Sequence, residues 1–594
     1  MANQDSEGNV SGHSRNGIHP DTTRYKVLDQ YHSQPSHIDV ICAGAGATGL
    51  YFAYRMQKRL KNFRLSIYEK NKECGGTWYE NRYPGCACDI PAHNYTYSFR
   101  PNPEFSSYYA GSTELLQYFK DFKDEYCLDK HIQYESKVLE AKYDVDNGIW
   151  NVVIQMPDGS SKHDTCHIFV NAAGILNNYK WPEIPGRENF KGQMVHSAAW
   201  DSSIDWTGKR VGLIGTGSSA IQITPKVQHG SEHLTVFIRS AVWIAPQLGG
   251  LVSLESDPAA EGDTEVNRIL LRGAHPFSFT EEDKETFRTN PQLLLHLRKK
   301  MELLLCNHVD TFITGTERQQ MTENYLREQM EDKLKRNKGL LNRMIPNFPS
   351  GCKRLTPGEG YLDALLADNV SHVYDTITEF TEMGMKTADG KEHKFDLIIC
   401  ATGFDVAFSP FIDIIGRDNI RIQDLWKGDP RAYLGIAASG FPNYFVVLGP
   451  RGPWGNGSIL PAAEINTDYI VSMIEKMQKQ QIKSIEVKRE AVEDFCEHVD
   501  EWHKRSVWGQ HCRSWYKMAR DPDAKPLLWC GMSPSYYKTM RDIRLEDFNF
   551  EYKYRNRFAY LGNGKIGADC EDGKSRLEAI TSYIRNEDSY WTLE

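Results

Sequence analysis

Two glycine-rich segments of the chain have the spacing of loops that bind the pyrophosphate of a dinucleotide. The first contains Gly44, Gly46 and Gly49, with Thr48 before the third glycine. It follows the apolar run 38–42 and precedes a helical pattern, which is the context that the motif requires. The first glycine permits a tight turn, the second lets backbone approach a phosphate, and the third lets the helix pack on the strand. A structural glycine turn without a ligand is the alternative.

The next apolar run ends in an acid, Glu69. It stands about 20 residues beyond the loop, where a carboxylate binds the ribose hydroxyls of an unphosphorylated adenosine. We expect Glu69 and the adjacent Lys70 to contact that adenosine. The first loop therefore predicts a site for a dinucleotide without a 2′-phosphate.

The second glycine-rich segment has alanine at the third glycine position, which the motif also allows. It is made of Gly215, Thr216, Gly217, Ser218, Ser219 and Ala220. The strand predicted after it ends at Arg239 and Ser240 and carries no acid there. A guanidinium can bind the 2′-phosphate that a carboxylate would repel, so this loop predicts NADPH rather than NADH. The alternative for Arg239 is an ordinary surface residue.

Two dinucleotide sites of opposite charge preference suggest a bound flavin and its reductant. We expect FAD at the first loop and NADPH at the second. Hydride could then pass from NADPH to the flavin, and the two cofactors would carry the redox chemistry.

Alternating strand and helix patterns surround both loops. Apolar runs at 38–42 and 64–68 flank the first helical pattern. The arrangement returns with a strand at 211–214, a helix at 218–229 and a strand at 234–238. Such β-α-β units form parallel sheets with right-handed crossovers. The predicted fold class is α/β, with two Rossmann-like dinucleotide-binding domains and a helical insertion.

Changes in composition along the chain predict its organisation. The first residues are too polar to bury a core, and a charged stretch rich in Leu and Met interrupts the second strand pattern. We predict a flexible tail at 1–34, an FAD domain at 35–180 and 395–594, an NADPH domain at 190–250 and 350–394, and a helical insertion at 251–349.

The composition excludes several classes of protein. The 594 residues carry a net charge of −9, and a mild acidic excess without a basic cluster argues against a nucleic-acid binder. No segment approaches the roughly 18 consecutive apolar residues of a membrane span, and the N-terminus does not resemble a secretory signal. We therefore expect a cytoplasmic enzyme that is not an integral membrane protein.

The cysteines and histidines show no ligand spacing. The 13 cysteines are odd in number and scattered, which predicts reduced thiols and no disulfide framework. The histidines lack the spacings of zinc sites, so no metal is predicted.

Longer motifs resemble those of the type I Baeyer–Villiger monooxygenases. Residues 190–201 read FKGQMVHSAAWD and fit the fingerprint F-x-G-x-x-x-H-x-x-x-W-[PD]. Residues 75–89 fit the motif [AG]-G-x-W-x4-[FY]-P-[GM]-x3-D, and ATGFD at 401–405 resembles the segment that returns the chain to the flavin domain. The motifs keep the family's order. Related heteroatom-oxidising enzymes usually carry a different aromatic residue where Trp200 stands.

The resemblance implies a reaction cycle and two catalytic residues. NADPH reduces FAD, O2 adds to the reduced flavin, and oxygen is inserted beside a ketone carbonyl to give an ester or lactone. The family holds the flavin peroxide as its anion with an arginine, and here Lys353 and Arg354 precede Gly360 in the matching pattern. Arg354 is thus the implied catalytic residue, Asp89 its orienting acid, and Lys353 a neighbour of the NADPH phosphate. A purely structural ion pair of Asp89 with Arg354 is the alternative.

The resemblance implies further cofactor contacts. For the flavin they are Gly76, Thr77, Trp78, Tyr79, Glu80, Cys88, Asp89, Ile90, Tyr95 and Val138. Trp515 resembles a mobile-loop tryptophan that closes over NADPH, although a core or surface tryptophan is the alternative. His196 in the fingerprint is expected to support the domain linker rather than to act as a base.

The expected substrates are O2 and a small-molecule ketone, and the long tail is most like that of fungal members acting on bulky secondary-metabolite ketones. The nearest alternative is a flavin monooxygenase that oxidises nitrogen or sulfur. A second alternative is a catalytically silent NADPH-binding or redox-sensing protein. The oligomeric state is left open.

Overall fold

The computed structural model describes residues 25–246, 264–272, 277–306, 308–406, 408–518, 521–567, 580–581 and 583–586. Of the tail predicted at 1–34, residues 1–24 lie outside the described residues. The described part of it runs beside the C-terminal segment, where the His32 N–H donates to the Lys565 carbonyl at 2.7 Å and the Ser33 N–H to the Tyr560 carbonyl at 2.8 Å.

A five-stranded parallel sheet, the first sheet, carries the first glycine loop. In spatial order its strands are Tyr444–Val446, Ile168–Asn171, Ile38–Ala43, Phe63–Tyr68 and Ile132–Gln133. All neighbouring strands pair in parallel. The helix Ala47–Arg59 connects the strands Ile38–Ala43 and Phe63–Tyr68, as the sequence predicts.

A second five-stranded parallel sheet carries the second glycine loop. In spatial order its strands are Val370–Val373, His233–Phe237, Arg210–Ile214, Leu397–Cys400 and Gln193–His196. The pairing is again parallel throughout, and the helix Ser218–Gln228 follows the glycine loop. The predicted α/β class with two Rossmann-like units is confirmed.

The other strands form smaller sheets and ribbons. They are Lys137–Asp144, Ile149–Gln155, Ser161–Cys166 and Asp413–Ile415 in one sheet, Ile377–Phe380, Gly384–Thr387 and Glu392–Lys394 in another, and the pairs Ile244–Ala245 with Thr356–Pro357 and Ile482–Val487 with Phe548–Tyr552.

The remaining α-helices lie around these sheets and in the segment predicted as an insertion. Around the sheets they are Thr77–Glu80, Ser112–Glu125, Tyr361–Leu365, Ile422–Leu425, Ile459–Gln480, Arg489–His503 and Ser533–Arg541. Within the segment they are Thr264–Arg272, Glu281–Thr289, Pro291–Cys306, Glu317–Leu334 and Lys338–Met344. No described helix is long and apolar enough to cross a membrane.

The helix Pro291–Cys306 is anchored on the first half of the chain by one arginine. Arg298 donates to the carbonyl oxygens of His93 at 2.9 Å and Tyr97 at 3.1 Å. Leu297 and Met301 of the same helix are buried in an apolar cluster with Phe287. The helical segment therefore packs directly on the loop that follows the upstream family motif.

The expectation that all cysteines are reduced thiols is wrong for one pair. Cys352 and Cys512 form a disulfide, with their Cα atoms 6.6 Å apart. The two residues are separated by 160 positions in sequence, so no local spacing could indicate the pairing. The fold brings them together.

Candidate active site

The first glycine loop has the shape of an anion cradle. Gly44 has φ +101°, and a Cβ there would lie 2.9 Å from the Ala172 carbonyl oxygen. No side chain caps the helix that begins after Gly46, which leaves N–H groups at its first turn for an anion. A Cβ at Gly49 would overlap the Gly44 carbonyl oxygen, so close helix–strand packing requires glycine. Thr48 lies in the first turn of this helix.

Glu69 lies behind this loop, and its surroundings are polar. Its buried carboxylate accepts hydrogen bonds from the Ala45 N–H at 2.8 Å and the Asn71 N–H at 2.9 Å. Burial raises the pKa of Glu69, and the two backbone donors oppose that shift. Lys70 pairs with Glu80 at 2.8 Å. Glu69, Lys70 and Glu80 therefore form one cluster beside the loop.

The residues of the upstream motif face the first loop from the opposite side. A Cβ at Gly46 would lie 3.6 Å from the Gly76 Cα, so the two glycines are in near contact. Thr77, Trp78 and Tyr79 form the short helix after Gly76. The structure thus brings the first glycine loop and the start of the upstream motif into near contact.

The remaining predicted flavin residues lie in the segment that leads to Tyr95 and in one strand of a smaller sheet. The Trp78 indole N–H donates to the Tyr95 hydroxyl at 3.3 Å, and the Ile90 N–H donates to the Cys88 sulfur at 3.5 Å. Burial raises the pKa of Cys88 well above its usual range, so this thiol is a packing residue. Val138 is buried in the strand Lys137–Asp144.

The second glycine loop repeats the cradle and leaves more room. Gly215 has φ +123°, and a Cβ there would lie 2.5 Å from the Ala401 carbonyl oxygen. A Cβ at Gly217 would meet no atom within 4 Å. The Thr216 hydroxyl donates to the Ser240 carbonyl at 2.9 Å, which ties the loop to the end of the next strand.

The helix Ser218–Gln228 begins directly after Gly217, beside the open space there. Ser218, its first residue, is exposed and hydrogen-bonds through its hydroxyl to that of Thr356 at 2.7 Å. Ser219 is half-buried and Ala220 is buried against the sheet. The loop and the free helix start can therefore accept a pyrophosphate.

Cations lie at the end of the strand that follows. Arg239 and Ser240 are exposed there. The Lys353 ammonium donates to the Ala241 carbonyl at 3.3 Å and to the Ser240 hydroxyl at 3.4 Å. Burial and the nearby charges of Arg239 and Arg513 lower the pKa of Lys353 to about 8. This arrangement suits a phosphate group.

Arg354 and Asp89 form a two-point ion pair. The Arg354 Nε lies 2.6 Å from one Asp89 carboxylate oxygen and its Nη2 lies 2.7 Å from the other. Burial disfavours the charge of Arg354, but the Asp89 carboxylate and the Tyr516 hydroxyl outweigh it and hold its pKa well above the usual range. The guanidinium is thus always charged and fixed in its plane.

The pair lies on the wall of a cavity of about 210 Å³. The side chains of Arg354 and Asp89 remain 26% and 24% exposed, so a ligand in the cavity can reach them. Tyr516 and Asn456 supply further polar atoms to the wall. The apolar part comes from the insertion helices and includes Leu304, Leu305, Met321 and Leu326.

Comparison with known proteins identifies the family of this site. The profile described as "FMO-like: Flavin-binding monooxygenase-like" matches residues 67–250. The "FAD-binding monooxygenase tazF" of Aspergillus terreus is 37% identical over 90% of this chain and 93% of its own. A "Baeyer-Villiger monooxygenase" of Pseudomonas aeruginosa is 31% identical over 81% of this chain and 85% of its own. The chain belongs to the type I Baeyer–Villiger monooxygenases.

A solved structure of the same kind agrees with the fold. The crystal structure of OTEMO in complex with FAD and NADP superposes with a TM-score of 0.73 and is 26% identical, covering 87% of this chain and 100% of that one. The resemblance that the sequence motifs indicated is thereby confirmed.

In the family fingerprint, His196 connects the segment after the strand Leu397–Cys400 with the segment around Lys180. His196 Nδ1 accepts the Ala198 N–H at 3.1 Å, and its Nε2 contacts the Thr402 hydroxyl at 3.2 Å. That hydroxyl donates to the Lys180 carbonyl at 2.7 Å, so Nε2 carries the hydrogen. The Tyr179 ring stacks on the imidazole at 4.6 Å. Burial lowers the pKa of His196 to about 4, which suits a neutral supporting residue.

Trp515 is not on the cavity wall in this structure. Its ring packs on Trp454 at 6.0 Å and on Tyr516 at 4.4 Å. The sequence analysis did not single out Tyr516, whose hydroxyl interacts with Arg354. The only local signal was its position next to Trp515. Asn456 in the glycine-rich stretch after Pro450 was also missed.

Proposed function

We propose that this protein is an FAD-containing Baeyer–Villiger monooxygenase that uses NADPH and O2 to insert oxygen beside the carbonyl of a bulky ketone, giving an ester or lactone. One observation carries the proposal. A permanently charged arginine, fixed by an acid, stands on the wall of a largely apolar cavity.

The residues present fit the two cofactors. The first loop offers a helix start without a side-chain cap and an acid for ribose hydroxyls, which supports FAD. The second offers open space at Gly217 and the cations Arg239 and Lys353, for which no carboxylate partner is recorded among the described residues, and these support the 2′-phosphate of NADPH. The Aspergillus terreus relative, an FAD-binding monooxygenase, and OTEMO, solved in complex with FAD and NADP, support the same two cofactors. We propose the domain boundaries of the sequence analysis with one change: the strand Leu397–Cys400 pairs within the second sheet, so the NADPH domain extends to Cys400 and the second part of the FAD domain begins after it.

The catalytic assignment rests on charge and geometry. The bound flavin would supply the activation of O2. Arg354 would stabilise negative charge on oxygen in the cavity, since preorganised charge is usually the largest catalytic contribution. Because a guanidinium does not lose its proton at ordinary pH, it can do so without acting as an acid. Asp89 is the positioning residue that fixes its plane.

The apolar wall supports a bulky ketone as substrate. Aliphatic side chains of the insertion helices line the same cavity as the polar pair, so a hydrophobic body could pack there with its carbonyl directed at Arg354. Burial of apolar area supplies binding energy, and a filled cavity keeps water from the reacting oxygen. A secondary-metabolite ketone of fungal type fits these requirements.

The test uses purified protein reconstituted with FAD. It is incubated with NADPH, ¹⁸O2 and a panel of bulky and small ketones, sulfides and amines, and the products are analysed by mass spectrometry. We expect an ester or lactone with one ¹⁸O atom and one NADPH consumed per product. Sulfoxides or N-oxides alone would favour the heteroatom-oxidising alternative, and no NADPH oxidation with any substrate would favour the silent redox sensor.

A further inference from the structure

The Cys352–Cys512 disulfide joins the two chain segments that carry polar residues of the active site. Their Cα atoms are 6.6 Å apart although 160 positions separate them in sequence. Lys353 and Arg354 follow Cys352 directly, and Arg513 follows Cys512. The disulfide therefore brings Arg513 close to Lys353.

Three cations then converge at the end of the second loop. Lys353 contacts Ser240 and Ala241, next to Arg239. Arg513 is exposed and close enough to Lys353 to act on its charge. Among the described residues, the structure records no carboxylate paired with any of the three. Like charges without counter-ions raise the local concentration of anions.

We propose that Arg513 is a third ligand of the 2′-phosphate of NADPH and that the Cys352–Cys512 disulfide holds it in place. This inference rests on the proposed use of NADPH. A phosphate has three terminal oxygens, and guanidinium groups bind such oxygens in a two-point geometry. Arg239 and Arg513 can each supply such a group, and Lys353 contributes a point charge.

The placement also links cofactor binding to the cavity. The segment 512–516 is held by the disulfide at one end, and its Tyr516 lies against Arg354 at the other. A phosphate bound by Arg513 would add a second point of attachment beside the disulfide. The side chain of Tyr516 would then be held on the cavity wall whenever the nucleotide is bound.

The first experiment measures nucleotide binding rather than turnover. Adenosine 2′,5′-bisphosphate and 5′-AMP are titrated into the FAD-loaded enzyme by calorimetry. For Arg513→Gln we expect bisphosphate affinity about tenfold lower, as for the loss of one charge-assisted contact, and 5′-AMP affinity unchanged. Arg541→Gln, at an exposed arginine of the helix Ser533–Arg541, is the matched control and should bind both as the wild type does.

The second experiment removes the cross-link. The double variant Cys352→Ser/Cys512→Ser should bind the bisphosphate several-fold more weakly, and adding Arg513→Gln should then weaken it less than twofold further. Cys127→Ser, at an exposed free cysteine, is the control. Flavin absorbance reports whether each variant is folded, and alkylation of the unreduced wild type followed by mass spectrometry should leave Cys352 and Cys512 unmodified.

The outcomes separate this inference from the proposed function. If the wild type binds the bisphosphate no better than 5′-AMP, the preference for NADPH fails and the inference fails with it. If Arg239→Gln and Lys353→Gln weaken binding while Arg513→Gln does not, only the role of Arg513 is overturned. Wild-type affinity in the double serine variant, or alkylation of both cysteines, would overturn the role of the disulfide.

Discussion

At the scale of single residues, this site is organised by charge. Glu69 lies at one loop and Arg239 at the other, while Arg354 stands on the cavity wall in a two-point pair with Asp89. Glu69 and Arg239 carry opposite charges. A carboxylate suits the hydroxyls of an unphosphorylated ribose, whereas a guanidinium suits a ribose 2′-phosphate. The sequence alone predicted this contrast, because each residue ends a strand after a glycine loop.

We expect Lys353 to make the proposed binding of NADPH sensitive to pH. Its pKa is lowered to about 8 by burial and by the charges of Arg239 and Arg513, so the free ammonium loses its proton above pH 8. A bound phosphate favours the protonated form, and affinity must therefore fall as the pH rises. We expect the dissociation constant of adenosine 2′,5′-bisphosphate to rise up to about tenfold per pH unit above pH 8.

Calorimetry between pH 7 and pH 9.5 measures this dependence. Lys353→Met should bind more weakly at pH 7 and lose most of the change with pH, and 5′-AMP serves as the control ligand. An affinity of the wild type that stays constant across this range would contradict the placement of the ammonium at the phosphate.

At the scale of elements, a buried arginine joins loops that border the cavity. Arg451 is fully buried and pairs with Asp429 at 2.7 Å and with Asp500, on the helix Arg489–His503, at 2.5 Å. The backbone N–H of Arg451 donates to the Leu527 carbonyl at 2.9 Å. The loop that leads to the cavity residue Asn456 is thereby tied to the helix and to the segment after Tyr516.

Removing this arginine should destabilise the protein. Arg451→Ala leaves the two carboxylates with Lys525, at 2.6 Å from Asp500 and 3.5 Å from Asp429, and with Arg431, at 3.0 Å from Asp429. Breaking a buried pair costs about 3 kcal/mol or more, and we expect a loss of that size in urea unfolding followed by fluorescence. Arg431→Ala, at a half-exposed partner of Asp429, should cost less than about 1 kcal/mol. Equal losses in the two variants would contradict this role.

The strands and glycine loops were predictable from sequence, but the cavity was not. Strands of a parallel sheet are buried on both faces and read as continuous apolar runs, which is why Ile38–Ala43 and Arg210–Ile214 were located to within a residue or two. The cavity wall combines side chains from segments far apart in sequence. Tyr516 reaches Arg354 only through tertiary packing, and the Cys352–Cys512 bond likewise carries no local signal.

At the scale of the whole molecule, neutral buried histidines hold separate segments together. His196 contacts Thr402, whose hydroxyl donates to the Lys180 carbonyl, and so connects two segments that run between the sheets. His503 contacts the Ser506 hydroxyl at 3.0 Å and the Leu528 carbonyl at 3.0 Å. Burial lowers the pKa of each to about 4.

These histidines predict instability in acid. Between about pH 6.5, the value in the unfolded chain, and pH 4, the unfolded state binds more protons than the native state. The free energy of unfolding must therefore fall as the pH is lowered through this range. We expect each residue to contribute about 1–3 kcal/mol, measured by urea unfolding at a series of pH values. His503→Gln should flatten the dependence, whereas His163→Gln, at an exposed histidine, should leave it unchanged.

The proposed oxygen insertion into a ketone depends above all on Arg354. The most direct measurement compares Arg354→Ala with the wild type in stopped-flow flavin reduction and in ester formation. We expect the variant to bind FAD and to be reduced by NADPH, with ester formation at least about a hundredfold slower and the consumed O2 recovered as hydrogen peroxide. Arg354→Ala that forms ester within tenfold of the wild-type rate would contradict the account.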